Sequence, residues 1–107
     1  MACYDVVLLP IAEDDLFSIT TYISEKLHAP QAAEAFVQEL DKLVDQLSRH
    51  PFSYELYREE RPLEYEIRRA PVKSYVIFYA VVENTVEIHR ILYGYRDMGK
   101  QELRPHT

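Results

Sequence analysis

Arg68, Arg69, Lys73, Arg90, Arg96 and Lys100 crowd the last part of the chain, and Tyr75, Tyr79, His89, Tyr93 and Tyr95 are set between them. Cations interleaved with rings can hold phosphates and stack bases. The plain alternative for any one of them is a solvated strand edge with tyrosines that pack. Strand alternation over residues 85 to 93 puts Val86, Ile88, Arg90 and Leu92 on one face, and Glu87, His89, Ile91 and Tyr93 on the other. A histidine beside a carboxylate suits proton transfer. The competing reading of Glu87 and His89 is a cross-strand ion pair on a half-exposed strand. Arg90 falls in the apolar stripe, where an unpaired charge is costly, so it must reach water or meet a carboxylate. Gly94 lets the chain leave the strand in a conformation other residues avoid, which would aim Tyr95, Arg96 and Asp97 at the end of the sheet. That end is the expected functional surface.

The elements that must position these groups read clearly. Tyr4 to Pro10 is short and aliphatic and is closed by a proline, as a first strand would be. Ala12, Leu16, Ile19, Ile23 and Leu27 then form the one-sided stripe of an amphipathic helix, with Glu13, Asp14 and Asp15 suited to its first turn. His28, Ala29 and Pro30 interrupt it, and Phe36, Leu40, Leu43 and Leu47 repeat the stripe until Arg49, His50 and Pro51. The short connection predicts an antiparallel helical hairpin. Residues 51 to 64 show no period and read as a long loop. Glu64 to Arg69 reads as a strand followed by a kink at Ala70 and Pro71. Lys73 to Val82 and Thr85 to Tyr93 read as paired strands with a tight turn at Glu83 and Asn84, Asn being the residue that tolerates positive φ. Residues 75 to 82 are apolar throughout, so that strand should be covered on both faces in the middle of its sheet. The predicted class is α+β: an N-terminal strand, an antiparallel helical hairpin, then a three-stranded antiparallel sheet.

Length and composition narrow the function further. A chain of 107 residues, 48% hydrophobic, is sized for a single domain spanning 1–107. Its two glycines, Gly94 and Gly99, supply no phosphate-cradling loop. Cys3 is the one cysteine, so neither an internal disulfide nor a Cys/His zinc cluster is expected, and no cofactor is implied. No apolar run approaches a membrane span and the first residues lack a basic leader, so the expected location is cytoplasmic. Net charge is −6, with nine acids against three bases in residues 1 to 50 and nine of each in the remainder. That balance argues against non-specific adhesion to nucleic acid, which depends on neutralising phosphates, while leaving room for a local basic site.

Ala12, Asp15, Leu16, Ile19, Tyr22 and Ile23, then Ala35, Phe36 and Leu47 before Pro51, then Tyr75, Ile77, Phe78, Tyr79 and Val81, and finally Val86, Ile88, Arg90, Ile91, Tyr93, Gly94, Arg96 and Asp97 stand in an informative order. In order and spacing the chain resembles the RelE/ParE superfamily of bacterial toxins from type II toxin-antitoxin systems. The resemblance implies a small toxin neutralised by a cognate antitoxin whose C-terminal segment wraps it. RelE-like members cut mRNA on the ribosome with basic and tyrosine side chains. ParE-like members poison DNA gyrase.

Carried onto this chain, the nuclease pattern implies Arg69, Lys73, Tyr93 and Arg96 as catalytic candidates. It lacks two expected groups: Val76 stands where that pattern has an arginine, and Glu102 stands near its late tyrosine. Loss of a phosphate-holding cation removes charge stabilisation of the transition state. The resemblance therefore favours the ParE-like branch, a gyrase inhibitor with Arg68, Arg69, Lys73, Tyr95 and Arg96 as target-binding candidates. A ribosome-dependent mRNA endoribonuclease is the runner-up. A third reading is a non-toxic co-repressor that meets DNA only through its antitoxin. The acidic balance implies an antitoxin tail rich in basic or apolar anchors.

Overall fold

The computed structural model describes residues 3–57 and 66–94. The strand β1 (Asp5–Leu8) leads into α1 (Pro10–Thr21), a π-helical turn at Tyr22–Lys26, and α2 (Pro30–Arg49); then come β2 (Arg68–Val72), β3 (Tyr75–Val82) and β4 (Thr85–Tyr93). Pro10 and Pro30 each open a helix, where the missing N–H is no loss. Between the helices His28 takes φ 52°, which turns the chain back.

The sheet order is β1-β4-β3-β2. β2, β3 and β4 form the predicted antiparallel meander, and β1 joins it as a fourth strand, parallel to β4. The helical hairpin covers one face: Phe36, Leu40, Leu43 and Leu47 of α2 and Ala12 and Ile19 of α1 pack on Ala70, Val72, Ile77, Tyr79, Val86, Ile88 and Ile91. The other face is a smaller core of Val76, Phe78 and Ala80 closed by Ile67, Tyr57, Val82 and Leu92. The uniformly apolar β3 is therefore buried on both sides, as its composition predicts, with each large side chain worth about 1.5–3 kcal/mol.

Four local expectations are corrected. Of the strand expected over 64–69, residues 64 and 65 lie outside the described residues and β2 runs over Arg68–Val72, with Ala70 and Pro71 inside it without a kink, opposite Ile77 and Val76. Proline is tolerated there because β2 is an outer strand. The reversal falls instead at Lys73 and Ser74, with Lys73 at φ 55°, and in the next hairpin the positive φ of 57° belongs to Glu83, not Asn84. Leu27, expected on the buried stripe, is 54% exposed, because the π turn inserts a residue and rotates the residues after it by roughly 100°.

The fourth correction concerns β4. A bulge between Phe78 and Tyr79 places Arg90 opposite Phe78 but Ile88 opposite Tyr79, so His89 is the extra residue. Strict alternation stops there. Val86, Ile88 and Ile91 face the helices, while Leu92 joins the opposite core. The predicted row of Glu87, His89 and Tyr93 is split: Glu87 stands opposite Ala80 of the smaller core, and Tyr93 opposite Tyr75, which packs toward the helices.

Candidate functional site

Side chains directly opposite each other in an antiparallel pair share a face, and this separates the predicted cations. Arg68 lies opposite Tyr79, on the helix side, and Arg69 opposite Phe78, on the other. Two of the target-binding candidates, Arg68 and Arg69, thus lie on opposite faces of the sheet. Arg68 donates from Nη1 to the Tyr54 carbonyl at 2.7 Å and stands 5.2 Å over the Phe52 ring. Arg69 donates from Nε to Glu55 Oε2 at 2.8 Å, its Nη2 lies 2.7 Å from the same oxygen, and its amide reaches the Glu55 carbonyl at 3.1 Å. Both arginines fasten the chain that follows α2 to the outer strand.

Lys73 and Tyr93 do come together, with partners from the helices. They line an open groove of about 640 Å³ with Ser74, Tyr75, Tyr22, Ile23, Leu27, Ala32 and Phe36. One wall is the end of the sheet and the other is the junction between the helices. Exposed side chains stand at both ends of the π turn in that junction: Tyr22 is 51% and Leu27 54% exposed. The floor is a run of edge-to-face rings, Phe36 on Tyr75 at 5.2 Å and Tyr75 on Tyr93 at 5.3 Å. Burial raises the Tyr75 phenol above its ordinary pKa, with Tyr93 and Tyr22 adding to the shift, so its hydroxyl stays protonated. Tyr93 itself is 62% exposed. After it, Gly94 takes φ 88° and its amide reaches the Ser74 carbonyl at 3.3 Å, so the chain leaves the sheet beside the groove.

Tyr95 and Arg96, the remaining candidates, lie outside the described residues. His89 Nε2 lies 3.4 Å from Glu87 Oε1 within β4, at the bulge and on side chains about a quarter exposed. This contact is neither cross-strand nor part of the groove. Of the two outcomes open to it, water or a carboxylate, Arg90 meets a carboxylate: Asp15 accepts Nε at 2.8 Å and Nη2 at 3.0 Å, and this bonding raises the Arg90 pKa despite its burial. Among the described residues no three His, Cys, Asp or Glu side chains gather as metal ligands would, and no helix is long and apolar enough to cross a membrane.

The sequence reading placed the site on the strands and missed its helical wall. Tyr22 carries a signal that could have found it, since a large polar ring just before a helix break has no core to enter. Chemically the groove is an aromatic and aliphatic trough with a lysine at its rim. That lining suits apolar side chains of a protein with a carboxylate nearby.

Comparisons with known proteins agree with this architecture. The family model described as ParE toxin of type II toxin-antitoxin system, parDE, matches residues 6–98. Among solved structures, a chain from the chromosomal ParDE TA system of P. aeruginosa aligns with a TM-score of 0.65 at 20% identity, covering 85% of this chain and 96% of that one. At that identity the likeness speaks to the fold. No curated protein matches by sequence.

Proposed function

Because the chain belongs to the ParE toxin family of type II toxin-antitoxin systems, we propose that it acts in the cytoplasm by inhibiting DNA gyrase and is neutralised by a cognate antitoxin. The observation that carries this reading is the separation of Arg69 from Tyr93. Arg69 lies on the face of Phe78 and is tied to Glu55, whereas Tyr93 lies on the helix side over Tyr75. Phosphoryl chemistry on RNA needs its cations and its proton-transfer group converging on one phosphate. These two point away from each other. Contact with a protein target makes no such demand.

In this reading the antitoxin lays an apolar segment into the groove, with a carboxylate facing Lys73, and target contacts come from the surface around Lys73 and Tyr93 together with Tyr95 and Arg96. The test is gyrase supercoiling with purified components. Supercoiling should fall and cleaved DNA accumulate as the toxin is added, and prior addition of the antitoxin should prevent both. Unchanged supercoiling at saturating toxin would reject gyrase as the target.

One observation favours the nuclease as a second reading: Lys73 and Tyr93, two of its four candidates, line the same groove. Primer extension on translated mRNA after induction decides it. Intact message during growth arrest excludes ribosome-dependent cleavage, and the absence of arrest would favour the co-repressor instead.

A further inference from the structure

The far end of β4 is held by a side chain where a strand partner is missing. β1 pairs with β4 only as far as Leu8 beside Ile88. The Leu9 amide still reaches the Ile88 carbonyl at 3.0 Å, and then the chain turns into α1. Beyond that point β1 offers β4 nothing, and the Ile91 amide would be an open edge donor. Asp15 of α1 fills the gap, its Oδ2 accepting the Ile91 amide at 3.0 Å. The same carboxylate takes the two-pronged bond from Arg90, and side-chain exposures of 15% for Asp15 and 25% for Arg90 keep it largely out of water. All three bonds fall immediately after the bulge at His89, where the β3–β4 ladder is locally broken.

The geometry points to Asp15 as a positioning residue for the toxin's working surface: by clamping the bulged end of β4 to α1 it holds Tyr93 over Tyr75 at the groove and fixes the point at which the chain leaves through Gly94. β3 secures that end from one side, through the Tyr75 ring and the Ser74 carbonyl. The Asp15 carboxylate secures it from the other. Without it the last residues of β4 keep their ladder on one edge only, next to a bulge that already weakens it.

Growth arrest is the one readout that rests on the toxin assignment; amide exchange does not. The experiment compares the full-length chain with Asp15→Asn, Arg90→Lys and Leu40→Ala, the last a truncation on α2 in the shared core that leaves the Asp15 clamp itself intact. In Asp15→Asn the Ile91 and Gly94 amides should exchange at least tenfold faster, while those of Ile77 and Ile88 stay within twofold of the parent. Growth arrest on induction, compared at equal soluble protein, should weaken about tenfold in Asp15→Asn and persist in Leu40→Ala. Should Asp15→Asn fail to fold, Arg90→Lys, which keeps the charge but loses the fork, carries the same expectations. Parent-like exchange at Ile91 and Gly94 overturns the proposal. So does an arrest that declines in Leu40→Ala and the clamp variants alike, in step with melting temperature. If the parent chain causes no arrest, the toxin reading fails and amide exchange alone decides the clamp.

Discussion

The Tyr79 hydroxyl donates to the Pro51 carbonyl at 2.8 Å, tying the centre of β3 to the residue just beyond the end of α2, 28 positions earlier in the chain. Tyr79 is fully buried, and burial pushes its phenol up to about 12 from 10.0, against the opposing pull of Arg68.

Alkaline stability should report this directly. A raised folded-state pKa means the fold favours the neutral phenol, so the stabilisation is complete below pH 10 and is lost as pH rises through about 12. The loss amounts to about 2–3 kcal/mol at roughly 1.4 kcal/mol per pKa unit. Urea unfolding between pH 9 and 12 should show the decline, and Tyr79→Phe should flatten it at a cost of about 1 kcal/mol at neutral pH from the lost bond. An unaltered slope in Tyr79→Phe would assign the decline to other groups.

Arg68 and Lys73 should behave as different kinds of residue. Arg68→Ala removes the bond to the Tyr54 carbonyl and the stacking on Phe52, so stability should fall by about 1–3 kcal/mol. Lys73→Ala leaves the turn conformation unchanged and should stay within about 0.5 kcal/mol, yet weaken antitoxin binding measured by calorimetry. Equal stability losses in the two variants would contradict the division of the basic residues between fold and groove.

Tyr93 separates the two toxin activities. A nuclease that uses the phenol needs its oxygen, so Tyr93→Phe would abolish cleavage and growth arrest together. A contact surface needs the ring. Growth arrest is therefore expected to survive in Tyr93→Phe and to drop severalfold in Tyr93→Ala.

Glu83 sits at φ 57° in the β3–β4 turn, a region that costs a side-chain-bearing residue about 1 kcal/mol. Glu83→Gly should raise stability by several tenths to about 1 kcal/mol. The check is thermal unfolding, with an upward shift of a few degrees expected.

The framework was legible because its causes are local. Phe36, Leu40, Leu43 and Leu47 mark one helix face by spacing alone, Pro10 and Pro30 announce helix starts, and the unbroken apolar run of β3 requires two covered faces. The site was only half legible. Lys73 and Tyr93 stand out as a cation and a ring at strand ends, but their partner Leu27 becomes available only because a π turn shifts the helix phase, and no spacing rule signals that turn. The β4 faces were misread for a similar reason. A bulge costs a strand one residue of register, and its cause lies in the pairing with β3 rather than in the sequence of β4.

The sequence by itself determined the α+β class, the helical hairpin, the central strand and that Arg90 had either to reach water or to meet a carboxylate, since each follows from hydrophobic period, proline geometry or the cost of a buried charge. Only the tertiary structure decided between the two, giving Arg90 the carboxylate of Asp15, 75 positions away, and decided which cations bond within the fold. Arg69 spends its charge on Glu55 and Arg68 on the Tyr54 carbonyl, while Lys73 remains at the groove. Those outcomes depend on which distant segments the pleat, the bulge and the packed helices bring within about 3 Å of each other, the range in which a hydrogen bond forms.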